Sequence, residues 1–279
     1  MIRIVTDSSA DIPTQYAEGF DITVIPLQVT FGQETYREGI NITHDEFYKR
    51  LIRDPSNLPT TSVPPLSEFK QLYQEILDEG DEIISIHLSS SLAGAYNAAA
   101  LAAQQLDPSR ITVIDSRSVS MCLGWVVIKA AEMALRYESK EHIIAQIKDM
   151  LPRLRIPSFL DTLDYIKIGG RLGAASAFFG STLNVKPIVH LSDGVVAPLA
   201  VVRSRQKAMN WLVQLAKRMA PFDDLAVMHT HAPQLADQLA KKLAPISPSR
   251  RLLITETGIA MGTHTGPNSL GICAVVSPR

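Results

Sequence analysis

The sequence predicts an α/β protein with two domains, and three observations support this fold class. The chain has 279 residues, whereas a single domain commonly has roughly 150. Short β-branched segments alternate with longer segments of helical periodicity, a pattern typical of a mostly parallel sheet covered by helices. Pro152 and Pro157 then interrupt the chain, and a hairpin signal follows. We therefore expect an N-terminal domain over 1–157, with a mostly parallel sheet and flanking helices, and a C-terminal domain over 158–279, with a mixed sheet and helices.

The first domain is predicted to contain three parallel strands that are separated by helices. The strands are Ile2–Val5, Ile83–His87 and Ile111–Ile114. The helical segments are Leu66–Asp78, Leu92–Leu106 and Val119–Tyr137. Thr43 and Glu46 form a capping box, which predicts one more helix that runs to about Arg53.

The second domain alternates in the same way but includes antiparallel strands. Ser192-Asp193-Gly194 is a hairpin signal, because it separates two strand-like segments. The predicted elements are, in order, strands Pro187–Leu191 and Val195–Val202, helix Arg205–Ala220, strand Leu225–His229, helix Pro233–Leu243, and strands Leu252–Glu256 and Gly271–Val276. The hairpin therefore indicates a mixed sheet.

Four segments rich in hydroxyl groups lie between these elements or at their ends. The most informative is GTHTGPNSLG at 262–271, which contains His264, Thr265 and glycines that let a ligand approach the backbone. The others are TDSSAD at 6–11, PTTSVP at 59–64 and SSSLAGAY at 89–96. Two of them follow predicted parallel strands, where ligands of such sheets bind. Together they predict one polar site, assembled from several loops, that holds a ligand with oxygen atoms.

Composition argues against several functional classes. No apolar run approaches the ~20 residues of a membrane span, so we expect no integral membrane segment. The N-terminal MIRIV has no secretory-signal pattern, and Cys122 and Cys273 in apolar surroundings are typical of reduced thiols in a cytoplasmic protein. The formal net charge of −1 gives no support for nucleic-acid binding.

Eight segments occur in the order and spacing of one known family. They are TDSSADIP, PTTSVP, SSSLAGAY, DSRSVSMCLG, LDTLDYIKIGGRL, GSTLNVKPIVHLSDG, VVRSRQKA and GTHTGPNSLGI. No single segment is specific, but their shared order extends over essentially the whole chain. The sequence closely resembles the DegV family of bacterial fatty-acid-binding proteins.

The resemblance implies a carrier rather than an enzyme, and we expect no cofactor and no metal. It implies that one long-chain fatty acid (C14–C18, for example palmitate) is buried between the two domains. Family members with a known role present the acid to a separate fatty-acid kinase, which makes an acyl phosphate for phospholipid synthesis. The residues implied to bind the ligand are Thr61, Ser62, Ala93, Gly94, His264 and Thr265.

These residue types suit a carboxylate that is removed from water. A buried charge needs several hydrogen-bond donors, and Thr61 and Ser62 offer hydroxyl groups. The helix predicted after Ser91 offers free amide groups and a favourable dipole. The chain departs from the family at Ala93, where members usually have serine, and at Pro65, which also replaces a common serine. At Ala93 one side-chain hydroxyl is therefore missing, whereas the backbone amide is retained.

Two arginines are implied to lie near the carboxyl end of the ligand or on the kinase-docking face. They are Arg171 of the GGR segment and Arg203 of the VVRSR segment. The forked guanidinium group of arginine can bind two oxygens of a carboxylate or a phosphate. Ordinary structural roles, a glycine turn and a solvated helix start, are the alternative for these segments.

An enzyme is the competing interpretation. The first-domain pattern also resembles the dihydroxyacetone-kinase substrate-binding subunit, in which a histidine holds the substrate covalently. In that case His264 would be the nucleophile or base, and Asp7 or Asp115 its partner. Ser8, Ser9 and Asp11 of TDSSAD would either contact the ligand or cap the short helix that begins near Pro13. His229-Thr230-His231 is only a weak metal signal, because the spacing alone is common.

Overall fold

The computed structural model describes residues 1–54, 57–173, 175–179, 185–248 and 252–278. Up to residue 157 the elements are β1 (Ile2–Asp7), α1 (Thr14–Gly19), β2 (Ile22–Ile25), β3 (Gln28–Phe31), β4 (Glu34–Arg37), α2 (His44–Arg53), β5 (Thr60–Ser62), α3 (Leu66–Asp78), β6 (Glu82–His87), α4 (Ala95–Gln105), β7 (Ile111–Asp115), α5 (Ser120–Leu135), α6 (Lys140–Met150) and β8 (Leu154–Arg155).

After residue 157 the chain again contains both helices and strands. The elements are β9 (Ser158–Phe159), α7 (Asp164–Ile168), α8 (Ala175–Phe179), β10 (Lys186–Ser192), β11 (Val195–Val202), α9 (Arg205–Met219), β12 (Phe222–His229), α10 (Pro233–Leu243), β13 (Leu252–Glu256), α11 (Ile259–Thr265) and β14 (Leu270–Val276). Short 3-10 helices at Ser8–Ala10, Leu151–Arg153 and Ala244–Ile246 complete the assignment for the described residues.

The first sheet is parallel throughout, in the order β2-β1-β6-β7. The three predicted strands are confirmed as neighbours, and β2 is a fourth strand that the sequence did not predict. The capping box is also confirmed, since the Thr43 side chain accepts from the Glu46 amide while the Glu46 side chain accepts from the Thr43 amide. The α/β assignment of this half is therefore confirmed.

The second sheet is mixed, in the order β11-β10-β9-β14-β12-β13, with β8 paired to β14. Only β12 and β13 run parallel among these neighbouring described strands. The predicted hairpin joins β10 and β11, and its turn residues Asp193 and Gly194 have φ of 49° and 81°. Two consecutive positive φ angles match the right-handed twist of paired strands. The mixed sheet is confirmed.

Helix α5 lies between the two sheets and joins their cores. It packs against β1 on one side and against β12 and β14 on the other. Its residues Leu123, Val126 and Val127 have no exposed surface, which explains why the helix is mostly apolar, with the charged residues Lys129 and Glu132 on one partly exposed face. Because β8 already pairs with β14, the second sheet also includes residues before 157. The division into 1–157 and 158–279 stays a prediction.

A third, small sheet was not predicted from the sequence. It has the order β4-β3-β5 and contains Thr60–Ser62 of the PTTSVP segment. Helices α2 and α11 share its apolar cluster, in which Val29, Phe47 and Ile259 are fully buried. This cluster links the first half of the chain to α11 of the second half. Over the described residues, no helix has both the length and the apolar content needed to cross a membrane.

Candidate functional site

A cavity of about 380 Å³ lies where the two halves of the chain meet. Its walls come from the ends of strands β6, β9 and β10, from the small sheet, and from helix α11. Most of the lining is apolar: Leu27, Val63, Leu88, Leu92, Val119, Ile156, Leu160, Ile166, Val189, Leu191, Val196, Ala260 and Met261. The cavity is therefore suited to a long apolar group.

Polar side chains in the lining include Thr61 and His264. The Thr61 hydroxyl lies 2.8 Å from Nε2 of His264, although the two residues are 203 positions apart in the chain. Thr61 is the central residue of β5, and its side chain points inward, whereas the neighbouring Thr60 and Ser62 are exposed. The alternation of side chains along a strand thus selects Thr61 for the cavity. The hydroxyls of PTTSVP are held by a short strand, not by the loop that we expected.

The imidazole of His264 is neutral at physiological pH. Burial, together with the nearby charge of Arg171, lowers its pKa from 6.5 to about 4. Its Nδ1 is buried, and no described residue bonds to it. We assign the proton to Nε2, since this tautomer leaves no buried N–H group unpaired. His264 then donates to Thr61, and the Thr61 hydroxyl hydrogen is available for a ligand.

Close packing at Gly169 fixes the ring of His264. A Cβ atom added at Gly169 would lie 2.2 Å from Nδ1 of His264, so no larger residue fits there without a shift. Gly169 is also the C-cap of α7, and the following Gly170 has φ of 71°. The GGR segment therefore combines a helix end with a contact to the site.

Arg171 lines the cavity and is held by backbone carbonyl groups. Its Nε donates to Leu92 O at 3.2 Å, and its Nη1 donates to Gly169 O at 2.7 Å. These two bonds place the guanidinium group between the loop before α4 and the GGR turn. Its positive charge lies beside the polar side chains of the cavity, where an anion would be stabilised.

Ala93 and Gly94 line the cavity immediately before α4. The helix begins at Ala95, later than the expected start at Leu92, and Gly94 is its N-cap without a side-chain cap. The Ala93 amide donates to Ser89 O at 3.3 Å. Among the described residues, the Gly94 amide has no acceptor. The first amides of α4 and the helix dipole therefore offer an anion site.

The other predicted ligand residues occupy less direct positions. Ser62 lines the cavity, but its side chain is exposed and donates to Gln28 Oε1 at 3.2 Å. The Thr265 hydroxyl donates to Met261 O at 2.9 Å within α11, so its hydrogen is already used. Arg203 is exposed and is not part of the lining. The segment GTHTGPNSLG contains the last turns of α11 rather than a glycine loop.

The TDSSAD segment contributes Ser9, which the sequence left open as either a ligand contact or a helix cap. Ser9 lines the cavity, while its hydroxyl and amide both donate to Asp7. Val189, His190 and Leu191 of GSTLNVKPIVHLSDG also line the cavity. The start of that segment, 180–184, lies outside the described residues.

The carboxylates required by the enzyme interpretation have other partners. Asp7 Oδ2 bonds to Nδ1 of His87 at 2.9 Å. Asp115 accepts from the Ser90 hydroxyl at 2.6 Å and from the Arg117 amide at 2.8 Å. The structure thus pairs His264 with a threonine, an arrangement suited to hydrogen bonding with a ligand. The geometry can hold an amphiphile with an apolar tail and an anionic head group.

Known proteins resemble this chain over nearly its whole length. The family described as "Uncharacterised protein, DegV family" matches residues 1–277. Protein DegV of Bacillus subtilis is 37% identical over 277 residues, which cover 98% of each chain. A DegV domain-containing protein of Streptomyces coelicolor is 37% identical over 283 residues, covering 100% of this chain and 99% of its own. The chain belongs to the DegV family.

Solved structures of DegV family proteins share the fold over nearly the whole chain. A Thermus thermophilus family member described as binding fatty acid has a TM-score of 0.92 at 30% identity, and 99% of each chain is covered. Bacillus subtilis DegV, described as a fatty acid binding protein, has a TM-score of 0.89 at 37% identity, again over 99% of each. A stearic acid-binding protein of Eubacterium ventriosum has a TM-score of 0.88 at 26% identity, covering 99% of this chain and 98% of its own.

Proposed function

We propose that this chain binds one long-chain fatty acid (C14–C18) in the cavity between its two halves. The observation that carries the proposal is the contrast within the cavity between its apolar walls and the Thr61–His264 pair. The carboxylate would lie beside Thr61, and the tail would fill the apolar part. The fatty acids named for the related structures support this choice of ligand.

The tail would supply most of the affinity. Each buried methylene contributes about 0.8 kcal/mol, so a sixteen-carbon chain gains on the order of 10 kcal/mol before the costs of ordering. The cavity volume of about 380 Å³ is in the range of small-molecule sites. Affinity should therefore rise with chain length until the cavity is full.

The head group would be oriented by several weak donors and one positive charge. The Thr61 hydroxyl donates to the carboxylate while its oxygen accepts from His264. The Gly94 amide at the start of α4 and the guanidinium group of Arg171 add further favourable interactions. Because Ala93 has no hydroxyl, this arrangement depends more on Thr61 than a serine-containing site would.

The same arrangement supports a carrier role. His264 is paired with Thr61 and not with a carboxylate, which suits binding better than nucleophilic catalysis. We propose that the chain acts in the cytoplasm and presents the acid to a separate fatty-acid kinase for phospholipid synthesis. Exposed Arg203 would be available for such a docking face, and Arg171, which lines the cavity, would lie near the carboxyl end.

Two measurements on the purified protein test this function. Mass spectrometry of a denaturing extract should release C14–C18 fatty acids, and no covalent adduct should remain on His264. Calorimetric titration with C10, C14, C16 and C18 acids should give one site per chain and an affinity that increases with length. Equal affinity across the series, or an adduct on His264, would contradict the carrier role.

A further inference from the structure

Two buried carboxyl groups lie at the N-terminal end of α11, away from the Thr61–His264 pair. Asp11 and Glu38 are only 8% and 7% exposed. Asp11 Oδ1 accepts from the Gly258 amide at 2.9 Å, and Glu38 Oε1 accepts from the Ala260 amide at 3.2 Å. These amides would otherwise be unpaired, because the first amides of a helix have no acceptor within it.

Both carboxyl groups converge on one residue. A Cβ atom added at Gly258 would lie 2.2 Å from Glu38 Oε1 and 3.2 Å from Asp11 Oδ1. The carboxyl groups are themselves held, since the Ser8 hydroxyl donates to Glu38 and the Ser120 hydroxyl donates to Asp11. The N-terminal end of α11 is therefore hydrogen-bonded to carboxyl groups that have little freedom to move.

Helix α11 depends on such contacts for its position. It has only seven residues, and a helix of this length is not stable by itself. Its cavity face carries Ala260, Met261 and His264. The carboxyl groups come from the first half of the chain, whereas α11 comes from the second half. The contacts that hold the first turn of α11 therefore also determine the position of His264 in its last turn.

The arrangement is costly in free energy. Burial raises the pKa of Glu38, and burial together with the nearby Glu38 charge raises the pKa of Asp11 to about 7. A serine or aspartate at the N-cap would satisfy one amide without burying two acids. Gly258 is found there instead, in close contact with both acids.

We propose that Glu38 and Asp11 are positioning residues of the fatty-acid site, which act through Gly258 and Ala260 to keep His264 beside Thr61. The inference rests on the proposed function for the ligand, but the position of His264 can be measured without a ligand. Loss of this clamp lets α11 shift, so recognition of the carboxylate is weakened while the apolar cavity remains. Glu38 and Asp11 do not line the cavity themselves.

Binding of two matched ligands distinguishes this role from general destabilisation. Palmitate carries the carboxylate, and hexadecanol has the same chain length without it. Glu38→Ala should weaken palmitate binding roughly tenfold, a loss of about 1.4 kcal/mol in binding free energy. It should weaken hexadecanol binding by no more than about twofold. Glu38→Gln should restore palmitate binding, because the amide oxygen can still accept from Ala260. Equal losses for both ligands would overturn the proposal.

The control variant is Ser139→Ala. Ser139 caps α6 by accepting from the His142 amide at 3.3 Å, and α6 contributes no residue to the cavity lining. Its loss should lower stability and leave the ratio of the two affinities unchanged. A ratio that changes as much in Ser139→Ala as in Glu38→Ala would also overturn the clamp.

A ligand-free readout keeps the clamp testable if palmitate does not bind. The ¹H–¹⁵N signals of the His264 ring, assigned with His264→Gln, should move in Glu38→Ala, return in Glu38→Gln and stay unchanged in Ser139→Ala. Unchanged His264 signals in Glu38→Ala would refute the clamp, whereas failure of the parent to bind palmitate would refute only the proposed function. If Glu38→Ala does not fold, Ser8→Ala removes one donor to Glu38 and should produce the same changes to a smaller degree.

Discussion

Two buried polar regions of this chain differ in how completely their hydrogen bonds are satisfied. One is a network around Asp7 and His87 at the ends of β1 and β6. The other is the Thr61–His264 pair in the cavity. Both contain an imidazole removed from water, and each includes a residue from a segment that the sequence marks as polar.

The network around Asp7 is closed. The Tyr73 hydroxyl donates to Ser85 Oγ, which lies 2.7 Å from Nε2 of His87, and Nδ1 of His87 bonds to Asp7. Asp7 also accepts from the amides of Ser9 and Leu88. Asp7, Ser85 and His87 have no exposed surface. A network whose members are paired in this way specifies the fold and offers few free donors or acceptors to a ligand.

The pair in the cavity is open. His264 has one partner, its Nδ1 is unpaired among the described residues, and the Thr61 hydroxyl faces space. The difference teaches that burial of a histidine does not identify a site, whereas unused hydrogen-bonding capacity next to an apolar cavity does. The predictions below test this distinction.

The largest effect is expected from the closed network. Asp7→Ala leaves the His87 ring and the amides of Ser9 and Leu88 without their acceptor, so the free energy of unfolding should fall by about 3 kcal/mol or more. Urea denaturation of the ligand-free protein measures this. A loss below about 1 kcal/mol would mean that the network is not what holds β1 to β6 at this end.

Asp11 and Glu38 are an intermediate case, because they are hydrogen-bonded but repel one another. The pKa of Asp11 is raised from 3.8 to about 7, so the folded state binds the extra proton between these values and stability falls as pH rises through that range. Asp11→Asn removes this pH-dependent contribution to the stability. The free energy of unfolding of the variant, relative to that of the parent, should increase by up to about 1.4 kcal/mol per pH unit between pH 4 and 7. This difference should level off above pH 7.

Urea midpoints of both proteins at several pH values measure this difference. The depressed pKa of His264 changes the stability with pH in the opposite direction. Its stabilising effect is present above pH 6.5 and is lost as the pH falls towards about 4. It is common to both proteins and cancels when they are compared. A difference that does not vary with pH would show that Asp11 ionises at its ordinary value.

The open pair should matter for binding more than for folding. Thr61→Val keeps the shape of the side chain but removes the donor to the carboxylate, so palmitate affinity should fall by about 1.5–3 kcal/mol. Ser62→Ala, on the exposed side of the same strand, should change affinity by no more than about twofold. Calorimetric titration with palmitate measures the affinity of both variants. A larger loss of affinity for Ser62→Ala than for Thr61→Val would place the head group on the other side of β5.

The smallest effect is expected at Ala93. Ala93→Ser adds a hydroxyl at the cavity wall just before α4, which should improve palmitate affinity by up to about 1.5 kcal/mol. The same affinity measurement, with the thermal midpoint of the ligand-free protein, checks this. Losses in both would mean that Ala93 packs against apolar neighbours and that the carboxylate lies elsewhere.

The sequence predicted regular elements well where one periodicity extends over many residues. Leu66–Asp78, Val195–Val202 and Pro233–Leu243 have the predicted bounds. The strands of the small sheet were missed because they are only three or four residues long, too short for a periodicity to be recognised. Helix α11 was missed because glycine and threonine are poor helix formers, and contacts with distant residues stabilise it.

From the residues alone, the candidate site could be located only at the level of segments. The resemblance to the DegV family implied Thr61, His264 and Gly94, whereas local composition shows only which segments carry hydrogen-bond donors. It could not show that strand pairing turns Thr61 inward and Ser62 outward, since that depends on β3. Nor could it show that Arg171 is held by Leu92 O, 79 positions away.

A crystal structure of the protein with bound palmitate tests the central claim most directly. We expect the carboxylate within hydrogen-bonding distance of the Thr61 hydroxyl and of the Gly94 amide, about 2.6–3.2 Å for each, with the tail along the apolar walls of the cavity. A carboxylate at the opposite end of the cavity, or palmitate bound outside it, would contradict the assignment of Thr61 and His264 to the head group.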